Sequence, residues 1–151
     1  MPQGRGIFPK LTVMENLTIG TRARRDGSAI APDEVFSLFP ILAERRGQLG
    51  GTLSGGQQQQ LALCRALAAG PDVLLLDEPS EGIQPNIVQM IGDILRRLAA
   101  DKGLSILLVE QNLDLGLSAA NRVLLMDQGR IAHQAQPADL TDDILHRYLA
   151  I

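Results

Sequence analysis

Two short stretches hold the residues best suited to chemistry. The first is Leu53-Ser54-Gly55-Gly56-Gln57, which opens a segment of helical period. Paired glycines allow close backbone approach, and amides at a helix N-terminus point outward, so the string suits an anion such as phosphate. Taken alone it also fits an ordinary turn before a helix. The second stretch is Val73-Leu74-Leu75-Leu76-Asp77-Glu78. An apolar strand here delivers two adjacent carboxylates to its C-terminal end, the edge at which open α/β sheets bind ligands. Side chains alternate along a strand, so Asp77 and Glu78 face different partners. One suits a Mg2+ ion held through water, and the other can polarise an attacking water. A solvated acidic pair at a strand exit is the plainer alternative.

The elements that must position these residues follow from hydrophobic period and breakers. Residues 1–11 carry two prolines and two glycines and read as loop. Residues 15–19 allow one helical turn, and 22–33 read as an exposed connection. Asp33 is placed to cap a helix through Leu38, with Pro40 as its stop. Residues 47–56 contain five glycines and read as loop. The stretch 57–69 has a helical period, ended by Gly70-Pro71. Residues 73–76 are apolar on both faces, which predicts a strand buried inside a parallel sheet. Pro85 begins a helix whose stripe is Ile87, Met90, Ile91, Ile94, Leu95 and Leu98, and Gly103 stops it. A second strand over 105–109, a helix over 113–120 and a third strand over 122–126 follow. Asp127-Gln128-Gly129 turns into a hairpin partner over 130–133, and 139–149 form a last helix. Strand–helix alternation from residue 73 onward predicts an α/β fold with a parallel sheet.

Composition narrows the function classes. The chain has 151 residues, 45% hydrophobic and 21% charged, which fits one packed domain. Fourteen basic against seventeen acidic residues leave a net charge of −3, unsuited to binding nucleic-acid phosphates. The lone cysteine, Cys64, forms no internal disulfide and is expected to pack in the core. No basic start with an apolar stretch is visible, so no export signal is expected. No apolar run approaches the roughly twenty residues of a membrane-spanning helix. With few aromatics, the core is expected to consist of Leu, Ile, Val and Ala. The Arg22, Arg24 and Arg25 cluster, His133 and His146 read as surface residues, and Leu145 and Leu149 as core.

Together, the two stretches resemble the ATP-binding subunit of an ABC transporter. Leu53–Gln57 matches the family's signature sequence, and Val73–Asp77 with Glu78 matches its Walker B strand. Pro2-Gln3-Gly4-Arg5 looks like the Q-loop, and residues 79–85 look like the D-loop. Gln111, 33 positions after Glu78, stands where the family usually carries its switch histidine. The resemblance implies the C-terminal part of a P-loop NTPase domain, with a helical signature subdomain and a partial parallel sheet. Residues 4–69 would form the helical subdomain, and 70–151 would carry Walker B, the D-loop, the switch region and a C-terminal helix. ATP and Mg2+ are the implied ligands. Ser54, Gly55 and Gly56, flanked by Leu53 and Gln57, would meet the γ-phosphate of an ATP held by a partner subunit. Asp77 would organise Mg2+, and Glu78 would be the catalytic carboxylate. Gln3 would sense Mg2+ and the attacking water. Gln111 would replace the switch histidine, without its change of charge near neutral pH. The D-loop residues Ser80, Glu81, Gly82, Ile83 and Gln84 would cross to the partner, although Gln84 departs from the usual Asp.

The strings Gln57–Ala62 and Glu81–Pro85 look like those of the urea-transporter ATP-binding subunit, so urea or a short amide is the expected substrate ahead of branched-chain amino acids. Val109-Glu110-Gln111-Asn112 is shared with branched-chain amino acid subunits. Implied partners are a second ATP-binding subunit and transmembrane permease subunits, with no nucleic acid and no membrane span of its own. The implied location is the cytoplasmic face of the inner membrane. One departure is large. A Walker A loop, G-x-x-x-x-G-K-[ST], cradles the phosphates, and no such string occurs in these residues. The chain therefore reads as an N-terminally truncated member, inactive alone. The alternatives are a non-catalytic remnant that supplies the signature to a partner, or a DNA-repair-type ABC ATPase. The resemblance also places a missing strand between 106–109 and 123–126, so a gap or distorted pairing is expected there.

Overall fold

The computed structural model describes Met1, residues 4–23 and residues 29–149. Its first half is helical. Helix α1 (Val13–Arg22) starts at a reciprocal cap: Thr12 Oγ1 accepts from the Glu15 amide, and the Thr12 amide donates to Glu15 Oε2 at 2.7 Å. It is ten residues long, not the single turn expected over 15–19. Short helices α2 (Pro32–Phe36) and α3 (Pro40–Ala43) follow. Pro40 begins a helix rather than stopping one, because the first helical position needs no amide proton. Asp33 lies inside α2, whose N-cap is Ala31. A 3-10 turn (Gly50–Thr52) leads into α4 (Gly55–Ala68).

These helices enclose the core. Val13, Leu17, Val35, Phe36, Phe39, Leu42, Leu61, Cys64 and Leu67 are buried together. Two of the three phenylalanines are thus inside, contrary to the purely aliphatic core expected from composition. Helices α1 and α4 touch at Gly20, where a Cβ would fall 2.3 Å from the Arg65 carbonyl oxygen. The fully buried Asn16 fastens the preceding loop. Its Oδ1 accepts from the Phe8 amide, and its Nδ2 donates to the Phe8 and Thr12 carbonyls.

The second half carries the strands. Strand β1 (Val73–Asp77) pairs in parallel with β2 (Ser105–Val109), with Val73 opposite Ser105 and Asp77 opposite Val109. Helix α5 (Pro85–Lys102) is the crossover, ended by Gly103 at φ +65°. The backbone of Met1 flanks the outer edge of β1, donating to Leu75 O and accepting from the Asp77 amide. After helix α6 (Leu113–Ala119), β3 (Val123–Asp127) and β4 (Arg130–Ala135) form an antiparallel hairpin. Its turn is Gln128-Gly129, with φ +48° and +77°, the pair of positive angles that a tight hairpin turn requires. A 3-10 turn (Pro137–Asp139) and helix α7 (Asp142–Tyr148) follow.

Strands β2 and β3 share no ladder: each belongs to its own two-stranded sheet. The expected gap between them is present. One expectation fails. Strand β1 is buried on one face only, through Leu74 and Leu76. On the other face Val73, Leu75, Leu107 and Val109 are between 49% and 57% exposed. The apolar run 73–76 reflects a face made for covering that these residues do not themselves cover.

Candidate functional site

Ser54 is the N-cap of α4. Its Oγ accepts from the Gln57 amide at 3.4 Å, and its own amide donates to Gln57 Oε1 at 3.0 Å. This reciprocal cap explains why Ser and Gln stand three apart. Gln57 is thus engaged in shaping the loop. Leu53 is buried and anchors it from below. The amides of Gly55 and Gly56 stand in the first turn of a 14-residue helix, where no intrahelical acceptor exists. Amides so placed suit an anion.

The acidic pair sits at the carboxyl edge of the parallel strands. Asp77 is exposed and ends β1. The Glu78 amide donates to Val109 O at 2.8 Å, which extends the ladder by one residue. Glu78 itself adopts φ +44°, the left-handed region that non-glycine residues rarely occupy. This turn swings its side chain off the strand's alternation and toward the β2–α6 loop. There Gln111 Nε2 donates to Glu78 Oε1 at 2.5 Å. Two residues singled out separately in the sequence, 33 positions apart, thus meet.

The residues after Glu78 form a tight loop. The Glu81 amide donates to Glu78 O, Gly82 turns at φ +65°, and Gln84 precedes α5 as its N-cap. The Ser80 amide donates to the side chain of Glu110. A cleft of about 400 Å3 joins this loop to the helical half. It is lined by residues 4–7 and Pro9, by Gln58 and Gln59 of α4, and by Glu78, Glu81 and Gly82. Arg5 spans it: Nη1 donates to Gln58 Oε1 at 3.0 Å, and a Cβ on Gly55 would lie 3.1 Å from Nη2. Arg5, Asn16 and Glu110 escaped the sequence reading as site residues. The only hint for Arg5 and Glu110 was their place inside the strings Gln3–Arg5 and Val109–Asn112, and Asn16 carried none. Gln3, Arg24 and Arg25 lie outside the described residues.

Among the described residues no three His, Cys, Asp or Glu side chains gather to hold a metal ion. Asp77 is an exposed carboxylate at the strand end, a donor type that suits Mg2+. His133, half-buried, stacks its ring on Tyr148 with centroids 5.8 Å apart. No described helix is long and apolar enough to cross a membrane.

The ABC transporter family matches over residues 1–81. The chain is 44% identical over 144 residues to the high-affinity branched-chain amino acid transport ATP-binding protein BraG of Pseudomonas aeruginosa, covering 94% of this chain and 61% of that protein. It is 35% identical to the probable branched-chain amino acid transport ATP-binding protein LivF of Archaeoglobus fulgidus, with the same two shares covered. It thus spans about three-fifths of the length of these relatives. Among solved structures, a dimeric ATP-binding cassette bound to ADP and Pi superposes with a TM-score of 0.77 at 22% identity, over 89% of this chain and 60% of that one. An ATP-binding cassette in its ADP conformation gives 0.75 at 23% identity, over 95% of this chain and 64% of that one.

Proposed function

This chain belongs to the ABC transporter family and has its ATPase fold, and we propose that it is the signature- and Walker B-bearing part of an import ATPase subunit. The observation that carries this reading is the Gln111–Glu78 contact at the carboxyl edge of β1 and β2. A carboxylate fixed there, on a turn at positive φ, is placed to take a proton from water as it attacks a phosphate. Gln111 orients that carboxylate and keeps a second amide proton for a phosphate oxygen. Asp77 would hold Mg2+, with Gln3 as a further ligand, and the ion would supply neutralisation of phosphate charge. Ser54, Gly55 and Gly56 offer first-turn donors to the γ-phosphate of a nucleotide on a partner subunit. Leu53 and Gln57 keep that loop in shape. The loop Ser80-Glu81-Gly82-Ile83-Gln84 crosses to the partner. In this reading residues 4–69 form the helical subdomain and 70–151 the catalytic remainder.

Positioning and charge neutralisation dominate phosphoryl transfer, and the G-x-x-x-x-G-K-[ST] string that supplies most of both is not among these residues. We therefore read the open apolar face of β1 and β2, and the unpaired edge of β2, as the seat of a segment bearing that loop. The full assembly would comprise two ATP-binding subunits under permease subunits, at the cytoplasmic face of the membrane. Branched-chain amino acids are the substrate class that the named relatives favour. Urea or a short amide is the second reading, favoured by residues 57–62 and 81–85.

The test is dimer closure and transport by the complete subunit with its permease. Ser54→Arg should prevent ATP-driven closure, because a bulky cation would fill the place of the partner's nucleotide. Closure that persists in Ser54→Arg overturns the signature assignment. Competition of labelled leucine uptake by unlabelled urea or leucine separates the two substrate readings.

A further inference from the structure

We infer that Glu110 is a positioning residue that clasps the loop after Glu78 to the loop that carries Gln111, and so holds these two side chains in register. The inference rests on the reading of Glu78 and Gln111 given above. The half-buried Glu110 carboxylate accepts two backbone protons from different segments. Its Oε1 takes the Ser80 amide at 2.8 Å, and its Oε2 takes the Asn112 amide at 3.0 Å. Ser80 lies two residues beyond Glu78, and Asn112 is the neighbour of Gln111. The contacts therefore close a ring: Glu78 to Ser80 along the chain, Ser80 to Glu110, Glu110 to Gln111, and Gln111 back to Glu78.

Each link restrains something that would otherwise move. Glu78 holds a positive φ, which persists only where its surroundings fix it. The Val109 carbonyl fixes its amide, and the clasp fixes the chain on its other side. Asn112 is also the N-cap of α6, its Oδ1 accepting from the Leu115 amide at 3.0 Å. The chain on both sides of Gln111 is thus pinned, and its side chain is left facing Glu78 Oε1. A carboxylate suits this post because it has two acceptor oxygens and no donor. Glutamine there would present one oxygen to one loop and an NH2 group to the other amide.

Amide NMR of the 151-residue chain tests the clasp. In the native protein the Ser80 and Asn112 amides should be protected from exchange and should couple through their hydrogen bonds to Glu110 Cδ. Glu110→Ala should release both, and Glu110→Gln should release one. In both variants the Gln111 side-chain NH2 signals should lose the shift imposed by Glu78, while α4 amides stay protected and report an intact fold. If the Gln111 signals do not move when Ser80 and Asn112 are released, the positioning role is overturned. If α4 protection is lost in both variants, Glu110 holds the fold at large and the positioning role is likewise overturned. In the complete, ATP-turning subunit, Glu110→Gln should lower kcat by up to about a hundredfold, the order expected of a misplaced group, with KM for ATP unchanged. An unchanged kcat overturns the inference. Glu78→Gln measured beside it separates the two claims. Turnover that survives Glu78→Gln removes the catalytic reading and leaves the clasp to the NMR result.

Discussion

Thr12 and Glu15 hold each other at the start of α1, and the two Thr12 hydrogen bonds, the backbone one first, keep the Glu15 carboxyl below the ordinary glutamate range. A carboxyl whose pKa is depressed by folding stabilises the fold above its unfolded value, about 4.3. That contribution disappears as pH falls through the lower, folded value. Acidification below about pH 4 should therefore weaken α1, and Glu15→Gln should flatten that part of a pH series of urea melts. An unaltered acid limb in Glu15→Gln would contradict the cap. Ser54 and Gln57 make the same kind of cap; the paired glycines marked that helix start in the sequence, but the reciprocal cap itself went unread. Glu110 was not legible as a contact of Ser80, because no local pattern joins positions thirty apart. The contact exists only once β1 and β2 lie side by side.

At the scale of elements, hydrophobic period located α4, α5 and strands β1 to β3, since each covers a stripe or a face at least in part, and the Asp127-Gln128-Gly129 turn located β4. It mistook local starts and stops. Pro40 looked like a terminator and is a first-turn residue. The Thr12–Glu15 cap went unread, so α1 was expected as one turn. The run 73–76 suggested burial on both faces, because sequence records which residues are apolar and not which of them have a neighbour. The α1–α4 crossing was equally hidden, since its cause is the absence of a side chain at Gly20. Gly20→Ala should destabilise the chain by about 1–3 kcal/mol in denaturant melts, the usual cost of overpacking a close contact. Gly116→Ala, in α6 with open space around it, should be neutral or slightly stabilising. Equal effects of the two would show that α1 and α4 do not meet so closely. At the same crossing, burial pushes the Cys64 thiol well above its usual range. Thiol reagents should label it only on unfolding, and rapid labelling of the native chain would contradict that packing.

At the scale of the whole molecule, the order of signature helix, acidic strand, crossover helix and second strand was readable in full, because each step has its own pattern. Neither strand neighbourhood is a local property: the lack of a ladder between β2 and β3 was expected from the resemblance, and the pairing of β1 with β2 came from the structure. The exposed apolar face of β1 and β2 joins the chemistry to the fold. That face runs along β1 and β2 to the strand ends where Asp77 and Val109 stand opposite each other, and under the proposed function the segment that covers it brings the phosphate-holding loop. The most direct test is ATP turnover by the 151-residue chain alone, and by the same chain joined to the N-terminal segment of BraG. The account predicts no hydrolysis by the chain alone. It predicts hydrolysis by the joined protein, abolished by Glu78→Gln while ATP binding persists. Hydrolysis by the chain alone, lost on Glu78→Gln, would contradict it, and so would turnover by the joined protein that survives Glu78→Gln.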